Sequence, residues 1–166
     1  SSICFGGRVY PGPNAVTGVS ATYDGASWSE VAELNTARFA LGFSTNSPQS
    51  SGIVFGGQHP QVANAEVWDG TSWTEVNDLN TGRRNMGGAG SSNTSVLAFG
   101  GITTSAATQS WNGTNWTNEN DLNLGRTALG GAGIATSALA FGGDTPPNTT
   151  ATEEWNGDGI VTETIS

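Results

Sequence analysis

One sequence pattern recurs four times along this chain, and it limits the possible folds more than any other feature. Phe-Gly-Gly begins at four positions, Phe5, Phe55, Phe99 and Phe141. An aromatic residue followed by Asp-Gly or Asn-Gly begins at Tyr23, Trp68, Trp111 and Trp155, which are 45, 43 and 44 residues apart. A fixed period of this length indicates a repeat architecture, in which each copy is one unit that buries its apolar surface against the next.

Each copy contains segments typical of four short strands. The segments that end in Phe-Gly-Gly are apolar on both faces, as expected of a strand between two sheets. The Asp-Gly and Asn-Gly pairs favour a tight hairpin because both turn residues accept positive φ. The strand after each hairpin alternates apolar and polar residues, and a last segment rich in Gly and Ala suits a crowded central axis. The sequence therefore predicts an all-β fold, a β-propeller of four-stranded antiparallel blades.

The predicted blades cover residues 1–37, 38–82, 83–125 and 126–166. The first copy has no Gly- and Ala-rich segment before its Phe-Gly-Gly strand, so we expect fifteen strands where four complete blades need sixteen. Propeller rings usually contain about four to eight blades. We therefore expect a single propeller domain, or a fragment of one, whose ring is closed by a larger chain or by association of copies.

The order of the motifs resembles the kelch repeat over the whole chain. In the third copy an apolar strand ends in Gly-Gly, the aromatic pair Trp111 and Trp116 follows, and Arg126 stands where the next inner strand begins. The WD40 repeat fits less well, because it expects a Gly-His pair in each copy and His59 is the only histidine. The chain departs from the kelch pattern in its shorter period, in its tight Asn-Gly turns and at Gly42–Phe43, where other copies have Gly-Gly. The near-identical copies are also similar to repeat proteins of marine bacteriophage tails and fibres.

Composition argues against several partners. The chain has five Arg, no Lys and fourteen acidic residues, for a net charge of −9, so nucleic acid and anionic membranes would be repelled. Ser, Thr, Asn and Gly in place of Lys favour an extracellular or virion-associated protein. We expect neither a nucleic-acid partner nor a membrane partner.

Residues for catalysis or metal binding are scarce. His59 lacks a Gly-x-Ser-x-Gly partner motif, and the acidic residues lack the Asp-x-Asp-x-Asp spacing of a calcium loop. The kelch resemblance includes oxidases similar to galactose oxidase, which hold copper with two His and two Tyr, one of them joined to a Cys. One His, two Tyr and one Cys do not supply that set. We therefore predict no enzyme activity, no cofactor and no metal.

Residues that recur in every copy are interpreted first as scaffold. Trp28, Trp73 and Trp116 occupy one repeat position, which predicts burial between blades. Cys4 occupies the position of Val54, Ala98 and Ala140, which predicts a core residue.

The arginines that end each copy have two interpretations. Arg38, Arg83 and Arg126 could converge at one mouth of the channel and bind a ligand, as the matching arginines of kelch adaptors do with acidic peptides. They could instead pair with Glu33, Asp78 and Asp121, which precede them by five residues in each copy.

The loops after each Gly-Gly diverge most between copies, and the kelch resemblance places them on the same face as the arginines. Tyr10 and His59 supply the only rings in these loops. We predict that a protein or glycan partner docks on this face, with Tyr10, His59, Arg38, Arg83 and Arg126 as contacts.

Three functions remain open after these arguments. The first is a non-catalytic recognition or structural propeller of a virus particle or secreted assembly. The second is an intracellular kelch-type adaptor for an acidic peptide. The third is a lectin-like propeller that binds a glycan.

Overall fold

The computed structural model describes residues 2–10, 15–58, 60–103, 105–157 and 160–161, and within them it has fifteen β-strands and no helix. The strands are β1 (Ser2–Arg8), β2 (Val16–Tyr23), β3 (Trp28–Val31), β4 (Gly42–Phe43), β5 (Gly52–Phe55), β6 (Ala65–Trp68), β7 (Trp73–Val76), β8 (Gly87–Ser92), β9 (Ser95–Phe99), β10 (Thr108–Trp111), β11 (Trp116–Asn118), β12 (Gly130–Ile134), β13 (Ser137–Phe141), β14 (Thr152–Trp155) and β15 (Ile160–Val161).

The strands form four antiparallel sheets in chain order, which we call blades 1 to 4. Blade 1 contains β1 to β3, and blades 2, 3 and 4 contain β4 to β7, β8 to β11 and β12 to β15. In every blade each strand pairs with its neighbour in sequence. The prediction of an all-β chain with fifteen strands and a three-stranded first sheet is confirmed, and the arrangement fits a propeller-like fold.

The hairpins of blades 1 to 3 are held by the residue that follows the first aromatic. In blade 2 the Oδ1 of Asp69 accepts the N–H groups of Thr71 and Ser72 at 2.7 and 2.8 Å, which lowers the pKa of Asp69. In blade 3 Asn112 accepts two backbone N–H groups in the same way. The turn places the two aromatic residues directly opposite each other, with ring centroids 5.2 to 5.4 Å apart in the first three blades.

The second tryptophan of a blade packs on the phenylalanine of the blade before it. The ring of Trp73 lies edge-on to Phe5 at 5.6 Å, and that of Trp116 lies edge-on to Phe55 at 5.3 Å. Both tryptophans are only 6 % exposed, so the predicted burial between blades is confirmed for them. The large apolar area that each ring removes from water stabilises the contact between blades.

Two predicted core residues of blade 1 are not buried. Trp28 is 55 % exposed and Cys4 is exposed, although both share repeat positions with buried residues of later blades. The reason is that blade 1 is the first blade of the described chain, so no earlier blade covers this side. The repeat position was read correctly, but the predicted burial of Trp28 and Cys4 is wrong.

Glycines in the inner strands allow the blades to approach closely. A Cβ at Gly88 would meet the Phe43 carbonyl oxygen, and a Cβ at Gly131 would meet the Gly88 carbonyl oxygen, both well inside 3.0 Å. In blade 2 the corresponding residue is Phe43. Its ring packs edge-on to Phe5 at 5.6 Å.

Replacing Gly131 with alanine should therefore lower the free energy of unfolding by about 1–3 kcal/mol, because the new methyl group meets the backbone of β8 in blade 3. The matched control is Gly52→Ala, where the nearest atom, Ser44 Oγ, lies 3.9 Å away, and a change within about 0.5 kcal/mol is expected. Urea denaturation measures both. Equal losses in the two variants would contradict the close approach of β8 and β12.

Candidate functional site

The Gly-Gly turns and the arginine connections lie together at one end of the blades. The connections are residues 34–38, 79–83 and 122–126, each with the pattern Leu-Asn-x-x-Arg. The N–H of the second glycine in a turn donates to the arginine carbonyl that opens the next blade, for example from Gly57 to Arg83 at 2.8 Å and from Gly101 to Arg126 at 2.9 Å. We call this end, with the divergent loops it carries, the loop end.

A row of backbone hydrogen bonds joins successive connections just after each arginine. The N–H of Asn85 donates to Ala40 O at 2.8 Å, and the N–H of Ala128 donates to Asn85 O at 2.9 Å. All three residues have left-handed backbone, with φ of 56°, 54° and 53°. Such a conformation is unfavourable for alanine, so the surrounding structure must hold it in place.

The three arginine side chains point into the blades. Arg38 and Arg126 are fully buried and Arg83 is 3 % exposed. The expectation that the three guanidinium groups are open at the mouth is therefore wrong, and their contact with a ligand stays a prediction. The physical reason is that these guanidinium groups face partners inside the blades: Arg126 Nη1 donates to Ala151 O at 2.5 Å, and Arg38 forms an ion pair with Glu66.

The arginines also have partners other than the predicted ones. Arg38 Nη2 lies 3.1 Å from Glu66, in an ion pair without hydrogen-bond geometry, and Arg126 Nη2 donates to Glu153 at 3.0 Å. The predicted partners are exposed, and each stands just before a connection: Glu33, Asp78 and Asp121. The prediction of an intramolecular ion pair was thus correct for Arg38 and Arg126, but it named the wrong acidic partners.

The buried carboxylates hold the incoming connection as well as the arginine. The N–H of Asn35 donates to Glu66 Oε2, and the N–H of Asn123 donates to Glu153 Oε2, both at 2.7 Å. The next backbone N–H of each connection donates to the other carboxylate oxygen. Blades 2 and 4 therefore each hold the incoming connection with one carboxylate.

Blade 3 differs because Gln109 occupies the position of Glu66 and Glu153. Its Oε1 lies 3.4 Å from Arg83 Nη2, and its Nε2 donates to Asn118 Oδ1 at 2.7 Å. Asn80 of the connection donates its side-chain amide to the same Asn118 oxygen at 2.9 Å. A neutral amide thus stands where the other blades have a carboxylate, and the connection is held by side-chain amides.

A polar cleft of about 540 Å³ opens at this place. It is lined by Thr81, Arg83, Ala107, Thr108, Gln109, Asn118, Glu119, Asn120 and Asp121. Amides, hydroxyls and carboxylates together can both donate and accept hydrogen bonds, which is the requirement for binding neighbouring hydroxyl groups. The cleft lies at the loop end, where the prediction places the ligand.

Arg83 gives the cleft a positive wall. Its Nη1 donates to the carbonyl oxygens of Gly100 and Ala107, each at 2.6 Å, and its Nε is buried without a hydrogen-bond partner among the described residues. Burial lowers the pKa of Arg83, and the charge of Asp121 partly offsets this effect. The guanidinium nevertheless stays charged, as arginine does in proteins. Arg83 therefore places a buried positive charge beside the cleft that it lines.

Tyr10, one of the two predicted ring residues, is not among the residues that line the cleft. Tyr10 follows β1 and is 82 % exposed. His59 lies outside the described residues. Both stay predictions for a ligand or partner on the loop end.

The described residues also bear on metal binding and on membrane insertion. No group of three or more His, Cys, Asp or Glu that could hold a metal ion occurs among them. No helix there is long and apolar enough to cross a membrane.

Comparison with known proteins gives a likeness of fold. No family model and no curated protein matches the chain. The chain is similar in fold to YjhT. The match to the solved structure of YjhT has a TM-score of 0.72 at 13 % sequence identity and covers 89 % of this chain. The chain spans about half the length of YjhT, since the match covers 52 % of that structure.

Gln109, the residue that distinguishes blade 3, was not among the predicted site residues. The signal was present two positions before the first aromatic of each hairpin, where the copies read Ala21, Glu66, Gln109 and Glu153. In β6 this residue, Glu66, stands between the apolar residues Ala65 and Val67. A buried polar group in a strand needs a partner, so this position could have been singled out.

Proposed function

We propose that this protein is a non-catalytic recognition module, a kelch-like propeller that binds a glycan in the polar cleft beside Arg83. In this proposal the module belongs to a virus particle or a secreted assembly and acts outside the cell. The blades are the scaffold, and the loop end of blade 3 carries the site.

The observation that carries the proposal is the break in the repeat at Gln109. A residue that serves the scaffold recurs, as the buried carboxylates Glu66 and Glu153 do. At the one connection where the carboxylate is an amide, a cleft is open and a buried arginine lacks an ion-pair partner within the described residues. A role in the scaffold does not explain why Gln109 replaces the carboxylate at this position.

The chemistry of the cleft suits hydroxyl groups. Asn118 offers an amide donor, Asn120 offers a donor and an acceptor, and Glu119 and Asp121 offer acceptors. Sugars present adjacent hydroxyls that both donate and accept, so alternating amides and carboxylates can pair with them. The acidic rim opposes an acidic peptide, which makes the adaptor function less well supported than glycan binding.

The proposal is tested by glycan-array binding, followed by calorimetry with each sugar that binds. Gln109→Glu should abolish binding, because the new carboxylate can pair with Arg83 and accept the connection N–H groups, as Glu66 does in blade 2. The melting temperature should stay the same or rise.

The matched control is Gln61→Glu, the same substitution at an exposed loop-end glutamine that accepts from Arg84 at 3.3 Å. Sugar binding should persist in this variant. Binding that survives Gln109→Glu, or that is lost equally in both variants, would move the site away from the cleft. A protein that binds no sugar but captures a polar peptide at the same residues would replace the glycan with a protein partner.

A further inference from the structure

A series of hydrogen bonds with a fixed direction runs from Arg83 to the wall of the cleft. Arg83 Nη2 lies 3.4 Å from Gln109 Oε1, and a guanidinium group can only donate hydrogen bonds. The oxygen of the Gln109 amide therefore faces Arg83, and its Nε2 donates to Asn118 Oδ1 at 2.7 Å. Because Arg83 and Gln109 are both buried, the Gln109 amide cannot turn over without placing its amino group against the guanidinium.

Asn80 of the connection sends a second hydrogen bond to the same oxygen. Its Nδ2 donates to Asn118 Oδ1 at 2.9 Å. The equivalent asparagine of the preceding connection, Asn35, donates its Nδ2 to Glu66 Oε2 at 3.0 Å, and an ionised carboxylate can only accept. The connection asparagine is thus a donor in both blades. Asn118 Oδ1 therefore accepts two hydrogen bonds, which uses both of its lone pairs.

The amino group is the part of the Asn118 side chain that the fold leaves open. Asn118 is exposed and lines the cleft, and its Nδ2 has no hydrogen-bond partner within the part of the chain that the structure describes. The carboxylates of Glu119 and Asp121 line the same cleft and can only accept. Asn118 is therefore a donor position next to acceptor positions.

The scaffold of the other blades does not need an amino group at this repeat position. Blades 1 and 2 have Glu30 and Glu75 where blade 3 has Asn118. Glu75 accepts a hydrogen bond from Asn64, so this position is an acceptor in blade 2. The amide at Asn118 thus accompanies the amide at Gln109, in the blade that carries the cleft.

We propose that Asn118 determines which sugars the cleft binds, because its amino group requires an oxygen atom that accepts a hydrogen bond. The inference rests on the proposed function, since it names a contact within the same glycan site. A sugar fits when one of its oxygens accepts from Asn118 and a neighbouring hydroxyl donates to Glu119 or Asp121. A sugar without that oxygen displaces water from the amino group and does not replace the hydrogen bond, which lowers its affinity.

Thermal unfolding without a sugar tests the direction of the Asn118 amide. Asn118→Asp keeps an acceptor for Gln109 and Asn80 and removes only the amino group, so its melting temperature should stay within about 1 °C of the wild type. Asn118→Leu removes the acceptor and should lower the melting temperature by about 2–4 °C. Equal losses in the two variants would mean that the amide donates into the fold, and would overturn the proposal.

The matched control is Asn112→Asp, which makes the same change of charge at the exposed hairpin of blade 3. Asp24 and Asp69 occupy this repeat position in blades 1 and 2 and accept the same pair of backbone N–H groups, so the hairpin tolerates a carboxylate. This variant should keep both the melting temperature and the sugar binding of the wild type.

Calorimetry tests the selectivity with the monodeoxy and mono-O-methyl forms of the monosaccharide that binds most tightly on the glycan array. A methyl ether accepts a hydrogen bond but cannot donate one, and a deoxy position does neither. At one position of the sugar the wild type should bind the methyl ether about 10-fold more tightly than the deoxy form. In Asn118→Asp this difference should disappear, because a carboxylate cannot donate to the ether. The parent sugar should still bind that variant, since its hydroxyl can donate to the new carboxylate.

The outcomes for selectivity and for the glycan site can be told apart. If no sugar binds the wild type, the proposed function fails and the role of Asn118 fails with it. If a sugar binds but no methyl ether exceeds its deoxy form, only the role of Asn118 is overturned. The same holds if the 10-fold difference persists in Asn118→Asp, or if Asn112→Asp removes it equally.

Discussion

Replacing Trp116 with alanine is expected to lower the free energy of unfolding by about 3–5 kcal/mol. The indole is 6 % exposed, lies edge-on to Phe55 at 5.3 Å and donates from Nε1 to Asn77 O at 3.0 Å. Alanine would leave a cavity between blades 2 and 3 and an acceptor without its donor. Urea denaturation followed by circular dichroism measures the loss.

The chain supplies the matched control for this prediction in Trp28. It occupies the same repeat position and pairs with Tyr23 across the hairpin, but it is 55 % exposed. Trp28→Ala should cost less than about 1 kcal/mol. The same urea denaturation experiment measures both variants. Losses of similar size would show that burial between blades is not the source of the effect.

Glu66→Ala should be the second large loss, about 3–5 kcal/mol, because it leaves Arg38 buried without its counter-charge. It also removes the acceptor of the Asn35 N–H and side-chain amide. The same denaturation experiment measures it. Glu30→Ala on an exposed outer strand is the control and should stay within about 0.5 kcal/mol. A loss below about 1 kcal/mol for Glu66→Ala would mean that water reaches Arg38 in place of the carboxylate.

The strands and hairpins could be predicted because their signals are local. Asp69-Gly70 fixes a turn within four residues, and the Trp pair on either side fixes the register of the two strands. Because the pattern recurs, a correct interpretation of one copy applies to the others. The missing inner strand of blade 1 was visible for the same reason, as an absent segment in an otherwise regular series.

The candidate site depended on contacts that are distant in the sequence. Arg38 reaches Glu66 on the middle of the next sheet, whereas the predicted partner Glu33 is closer along the chain but lies on the exposed side of the connection. Local spacing does not show which side of a connection faces the strands. Repeat equivalence also failed for Cys4, because burial depends on whether a neighbouring blade is present, and the residue itself carries no sign of that.

The hydrogen bonds that join Ala40, Asn85 and Ala128 bear on the rate at which a ligand enters the cleft. They fix each connection to the next, so Thr81 and Arg83, which line the cleft, are on a segment that is tied on both sides. A wall held in this way has little room to rearrange when a ligand arrives. Stopped-flow association should therefore show a single phase whose observed rate rises linearly with ligand concentration, without the plateau that a slow conformational step would impose.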